Sequence, residues 1–167
     1  EVPEIVKLAH DLDVDCLEFI PRQPFAGGAD QNTGVASGFL DEIDQMTSYL
    51  RALKNDSIRI ENSSTHLKLF RRSFSNSKSP LPCYAGYNSY AVDCYGEIYP
   101  CVPWVNWRRS VGNVRDADPA TFWYSPAYRG ARAEVRQCRK CYLNCQAELN
   151  CMFSLIRSQL VSMNVFR

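Results

Sequence analysis

The sequence predicts an α/β fold whose second half is a small, cysteine-rich α+β module. Three observations predict it. A helix and a short apolar strand follow one another at the start, an amphipathic helix comes next, and seven of the eight cysteines lie between residues 83 and 151.

Taking the elements in order, Pro3 suits a first helical turn, and Ile5, Leu8, Ala9 and Leu12 recur at helical spacing, which predicts a helix over 3–12. Asp13-Val14-Asp15 ends it. Residues 16–20, Cys-Leu-Glu-Phe-Ile, read as a buried strand stopped by Pro21, so helix and strand form half of a parallel α/β unit. Residues 21–38 are loop-like, with Gly27, Gly28, Gly34 and Gly38. The next helix spans 40–54. Leu40, Ile43, Met46, Thr47, Leu50 and Leu53 form its apolar stripe, Asp41, Glu42 and Asp44 sit in its first turn, and Arg51 and Lys54 in its last. A weaker helical stretch covers 61–71, and residues 72–82, rich in Ser, Asn and Pro, read as a linker.

Composition changes at Pro82. Residues 89–93 and 97–99 read as two strands around a turn at Gly96, a β-hairpin. Pro119 to Tyr124 reads as a helical turn, 127–137 as a helix, and 146–160 as another, with Leu149, Phe153, Ile156 and Leu160 on one face.

The bulk numbers exclude several classes. With 167 residues the chain makes one ordinary domain or two small pieces, and 46% hydrophobic residues support a core. Nineteen Lys and Arg against 18 Asp and Glu argue against a general nucleic-acid grip or a polybasic membrane patch. No apolar run approaches the roughly 20 residues of a membrane span, and the opening Glu-Val-Pro-Glu is not a signal peptide, so a cytoplasmic location is expected. The first residues read as the middle of a helix–strand unit. A piece of a longer protein is therefore expected, the alternative being a trimmed small protein.

Crowded cysteines have three common causes: disulfides, zinc or an iron–sulfur cluster. The length exceeds that of the usual disulfide scaffold, so metal binding leads. The spacing is Cys83-x12-Gly96-x4-Cys101, then Cys138-x2-Cys141-x3-Cys145-x5-Cys151. In Cys-x2-Cys two thiolates converge from one tight turn, and two more from a distant hairpin complete a four-thiolate site. Such a site suits zinc as well as an iron–sulfur cluster.

From Cys83 to Cys151 the chain resembles the SPASM and shorter "twitch" domains at the C-terminus of radical S-adenosylmethionine (SAM) enzymes. Cys83, Gly96, Cys101, Cys138 and Cys141 match that family's pattern in order and spacing. Asp93 to Cys101 is similar to its hairpin, and Val111 to Val114 to the strand that often follows. The resemblance implies a remnant of a partial (β/α)6 barrel over 1–70, a linker over 71–82 and an iron–sulfur module over 83–167. It implies one auxiliary 4Fe–4S cluster on Cys83, Cys101, Cys138 and Cys141, with Cys94, Cys145 and Cys151 as alternates. It further implies a parent oxidoreductase that uses SAM and a second 4Fe–4S cluster to modify a peptide or small molecule. Its partners would be the rest of the barrel and an electron donor or acceptor such as flavodoxin or ferredoxin.

Two departures qualify this. The SAM-cleaving motif Cys-x3-Cys-x2-Cys is absent, so the chain is expected to be inactive alone. Full SPASM domains continue Cys-x2-Cys-x5-Cys-x3-Cys, whereas here x3 and x5 follow, which favours a single cluster. The rival reading is a non-enzymatic zinc module for structure or interaction.

The remaining residues carry plainer expectations. Cys16 is expected as a buried small hydrophobe and Cys151 as core. His10 is expected on a helix surface, and His66 has no partner motif and receives no role. Asp93 is expected to serve the turn. Tyr84, Tyr87, Tyr90, Tyr95, Tyr99, Trp104 and Trp107 are expected to pack and shield the site. Arg71-Arg72 and Arg108-Arg109 are expected to be solvated, and Gly27-Gly28 is too short for a phosphate loop.

Overall fold

The structure, a computed structural model, describes residues 1–21, 37–55, 58–116 and 118–162, the side chains of residues 37, 55, 119 and 156–162 excepted. The order is α1 (Val2–Asp11), β1 (Cys16–Leu17), α2 (Ser37–Ala52), β2 (Arg59–Ile60), α3 (Ser64–Phe74), β3 (Ala91–Val92), β4 (Glu97–Tyr99), α4 (Val102–Asn106), β5 (Gly112–Asn113), α5 (Pro119–Trp123), α6 (Pro126–Gln137) and α7 (Asn144–Ser162). A short 3-10 turn, Leu53–Asn55, follows α2. The fold is mixed helix and strand with two small sheets. The expected loop over 21–38, with Gly27, Gly28 and Gly34, lies almost wholly outside the described residues.

In the first half, β1 and β2 pair in parallel, Cys16 with Arg59 and Leu17 with Ile60. The strand is shorter than the five residues expected because its pairing passes to a side chain. The Asn62 amide donates to the Phe19 carbonyl and accepts from the Phe19 N–H, both at 2.8 Å, as a neighbouring peptide would. Beneath lies a mainly aliphatic core of Val6, Ala9, Ile43, Leu50, Ile58, Ile60, Leu67 and Phe70. Burying one side chain such as Leu50 contributes about 2–3 kcal/mol.

Several expectations change here. In α1 the buried row is Val6 and Ala9, with Val2 beside them, while Ile5, Leu8 and Leu12 are exposed by 47, 56 and 66%. Ala9 of the expected row is buried, but Val6 joins it in place of the others; both sets have helical spacing, and the core they pack on decides which turns inward. Cys16 is exposed, because Leu17 and Phe19 take the core side. Helix α2 starts at Ser37, one turn before the acidic residues, and its stripe buries Ile43, Thr47 and Leu50. Arg71 is not merely solvated: it pairs with Asp41 and Asp44 and donates to the Leu40 carbonyl.

Helix α3 runs to Phe74, into the expected linker. The Ser63 hydroxyl caps it by accepting the His66 N–H at 3.0 Å, a contact worth about 1 kcal/mol. The rest of that stretch is tied down, since the Tyr142 hydroxyl donates to the Ser77 carbonyl at 2.6 Å and the Ser79 N–H to the Arg139 carbonyl at 2.7 Å.

In the second half β3, β4 and β5 form an antiparallel sheet, Val92 opposite Ile98 and Ile98 opposite Gly112. Gly96 closes the hairpin at φ 86°, and a Cβ there would stand 2.8 Å from the Asn113 side-chain oxygen. The Asp93 carboxylate accepts the Tyr95 and Glu97 N–H groups and the Tyr99 hydroxyl. Desolvation opposes its charge, but the Glu97 N–H, the Tyr99 hydroxyl and the Tyr95 and Gly96 N–H groups outweigh that and hold its pKa below the usual range.

Helix α4 appears where no helix was expected, started by Pro103 in its first turn. Helices α5 and α6 are capped by Asp118 and Ser125. Arg109 stacks on Trp104 and pairs twice with Glu134, so it too is engaged. Helix α7 begins at Asn144, and its buried positions among the described side chains are Asn144, Gln146, Ala147, Asn150 and Cys151. Leu149 and Phe153 of the expected face are only half-buried, and the side chains of Ile156 and Leu160 lie outside the described residues.

Candidate iron–sulfur site

Three segments carry the cysteines. Cys83 opens a tight turn in which the Gly86 N–H donates to the Ser89 carbonyl at 2.8 Å. Gly86 has φ 76°, and a Cβ on it would come within 3.0 Å of Arg132 Cγ. Cys101 ends the hairpin and caps α4, behind the fully buried Pro100. Cys138 ends α6, and Cys141 lies in the turn leading to α7.

The thiols of these segments lie close enough for charge on one to raise the pKa of another. Burial pushes the Cys101 thiol up to about 12. The Trp104 N–H works against this, and the charges of Cys83, Cys138 and Cys145 add to it. Burial likewise pushes Cys141 to about 12, opposed by the Leu143 N–H and reinforced by Cys83, Cys101 and Cys138. Cys83 is raised by burial and by Cys138, and lowered by the Ala85 N–H, the Asn150 amide and the Arg139 guanidinium.

Cys83, Cys101, Cys138 and Cys141 thus share one neighbourhood, with Cys145 coupled to Cys101 at its exposed side. All eight cysteines are free thiols. Among the described residues no group of three or more His, Cys, Asp or Glu stands ready to hold a metal ion.

The donor set fits a cationic iron–sulfur core. The raised pKa values keep the Cys83, Cys101 and Cys141 thiols protonated, and a positive centre would reverse that balance. Backbone N–H groups face three of the sulfurs, and the Leu143 N–H donates to the Cys141 sulfur at 3.4 Å. Such donors stabilise sulfur-borne charge and tune a bound cluster.

The other cysteines separate from this group. Cys94 is exposed at the hairpin turn. Cys151 packs with Leu69 and Tyr142, and its thiol is pushed up to about 11 by burial and by Glu148. Among the aromatics, Tyr99 and Trp104 are buried with Cys83, while Tyr87, Tyr90 and Tyr95 are exposed.

Sequence reasoning missed His66. Its ring is fully buried between α3 and α7, with Nδ1 3.0 Å from Glu148 Oε1 and Nε2 3.2 Å from the Tyr142 carbonyl oxygen. Glu148 Oε1 also accepts the Ser63 N–H at 2.7 Å. Desolvation opposes the charge of Glu148, but the His66 and Ser63 hydrogen bonds outweigh it and hold its pKa below the usual value. The partners lie about 80 residues apart, so the only local signal was a histidine at a helix start followed by Leu67, Leu69 and Phe70. His10 is exposed, as expected.

Residues 83–145 match the family model of the SPASM iron–sulfur cluster-binding domain. Neither the curated proteins nor the solved structures gave a match. No helix among the described residues is long and apolar enough to cross a membrane. The cysteine group, its hairpin and its Cys-x2-Cys turn all fall inside the matched segment, so residues 83–145 have the features of a SPASM iron–sulfur cluster-binding domain.

Proposed function

We propose that Cys83, Cys101, Cys138 and Cys141 ligate one 4Fe–4S cluster that transfers electrons or positions substrate in the C-terminal part of a radical SAM enzyme. The observation that carries this is that Cys83 and Cys101 pack together while Cys138 and Cys141 come from a separate Cys-x2-Cys turn, all four inside the segment that matches an iron–sulfur cluster-binding domain. When bound, the cluster supplies one-electron chemistry. The chain's own residues hold and shield it. Tyr99 and Trp104 exclude water beside Cys83, N–H groups offset sulfur charge, and Arg139 brings positive charge to Cys83. Full thiolate ligation favours electron transfer with a partner such as a flavodoxin or ferredoxin. An open iron position would favour direct contact with a peptide or small-molecule substrate. In this reading the protein is cytoplasmic.

The first half is then the remnant of the parallel barrel. Two features support this: a two-stranded parallel sheet, an arrangement usually buried on both faces, and the exposed apolar row Ile5, Leu8 and Leu12. SAM and the second cluster belong to the full-length parent.

The test is iron, zinc and acid-labile sulfide analysis of protein purified without oxygen. About four iron and four sulfide per chain are expected. Zinc without sulfide overturns the reading in favour of a structural module.

A further inference from the structure

The peptide unit between Tyr142 and Leu143 has both of its polar ends engaged. Its N–H donates to the Cys141 sulfur at 3.4 Å, and its carbonyl oxygen lies 3.2 Å from His66 Nε2. A carbonyl only accepts, so Nε2 carries a hydrogen and donates it. The other ring nitrogen, Nδ1, lies 3.0 Å from Glu148 Oε1, a carboxylate also held by the Ser63 N–H. Asn62 Nδ2 stands 3.4 Å from the same nitrogen. The Glu148 carboxylate, held charged by its hydrogen bonds, can only accept, so the hydrogen on that contact sits on Nδ1, and Glu148, His66, the peptide and the Cys141 sulfur form one continuous line of hydrogen bonds.

We infer that His66 is a positioning residue for the iron–sulfur site: it orients and polarises the Tyr142–Leu143 peptide and so strengthens the N–H bond to the Cys141 sulfur. The inference rests on the cluster reading proposed above. Its physical basis is that hydrogen bonds in series polarise one another, most effectively away from water. A donor on the carbonyl draws electron density from the peptide and makes its N–H a better donor. A stronger N–H bond to sulfur stabilises the reduced, more negative cluster and raises its potential. His66 is fully buried and fixed by Phe70, whose ring centroid lies 5.3 Å away, so the effect is not diluted by solvent. By this route the first half of the chain acts on a site to which it contributes no cysteine.

The test compares the whole chain with His66→Leu and His66→Gln, each loaded with cluster without oxygen, by iron and sulfide content and by redox titration with dithionite. His66→Leu should keep its cluster and shift to lower potential. His66→Gln, which keeps a side-chain N–H, should recover part of the shift. Leu50→Ala, which weakens the neighbouring core and touches no part of this line, is the control for a merely structural effect. Should His66→Leu not fold, Glu148→Gln replaces it, with a smaller shift of the same sign. Wild-type potential in both His66→Leu and Glu148→Gln, or an equal shift in Leu50→Ala, overturns the inference and leaves the cluster reading standing. A wild-type chain without iron and sulfide overturns both.

Discussion

The two halves of the chain are held together by different means. The first half closes on eight buried residues, seven of them aliphatic, with a single aromatic, Phe70. The second half buries Cys83, Ala85, Tyr99, Trp104, Ala131 and Val135 around its thiols, and its strands are two or three residues long. Small sheets with little aliphatic core are the situation in which a metal centre supplies folding energy. The second half also buries Ile98, Phe122 and Tyr128, and the contrast predicts that its stability depends on the site being filled while that of the first half does not.

The strongest way to break that comparison is to empty the site. Cys141→Ala, or removal of iron with a chelator, should abolish amide protection in β3–β5 and α6 while leaving it in α2 and α3, read by hydrogen exchange. Equal loss in both halves would show that the halves are one cooperative unit.

The reciprocal experiment is Leu50→Ala in the first core. It should cost about 3 kcal/mol in denaturant unfolding, with iron content unchanged.

A smaller effect comes from pH. Cys101 and Cys141 ordinarily titrate near 9.0 and stand at about 12 in the fold, through burial first and neighbouring thiols second. A raised pKa favours the fold fully below the unfolded value, and that advantage is lost between 9.0 and about 12. The iron-free chain should therefore unfold more readily at about pH 10.5 than at about pH 8. Cluster binding, which requires thiolates, should respond with the opposite sign, weakening as pH falls.

The smallest effect belongs to the surface. Glu134→Ala removes the exposed pair with Arg109 and should change stability by less than about 1 kcal/mol. A larger loss would mean that the Arg109 stack on Trp104 depends on it.

How much of this was legible in the sequence follows from the range of each interaction. Helix α2 announced itself through Ile43, Thr47 and Leu50, which repeat every turn, and the hairpin through Asp93 and Gly96, whose turn chemistry is local. The family of the cysteine module was legible because spacing survives without knowledge of the fold. What failed needed a partner elsewhere. On α1 the periodicity found Ala9, but only the surrounding core selects Val6 over Ile5, Leu8 and Leu12. Strand β2 has two residues and no run to detect. Cys16 turned outward because Leu17 and Phe19 took the core face. His66 acquires its role from Glu148 and Tyr142, which no local pattern links to it.

The clasp between Ser79 and Arg139 has a consequence for assembly. It closes a loop of about 60 residues, whose entropic cost is about 3–4 kcal/mol plus a length-independent part. Cys83 lies four positions inside one end of that loop and Cys138 one position inside the other. Once the clasp is made, these two thiols are within reach of each other with little chain freedom left to lose. One hydrogen bond contributes about 1 kcal/mol, less than the loop costs, so closing this loop and gathering its two thiols are one event in which each helps to hold the other.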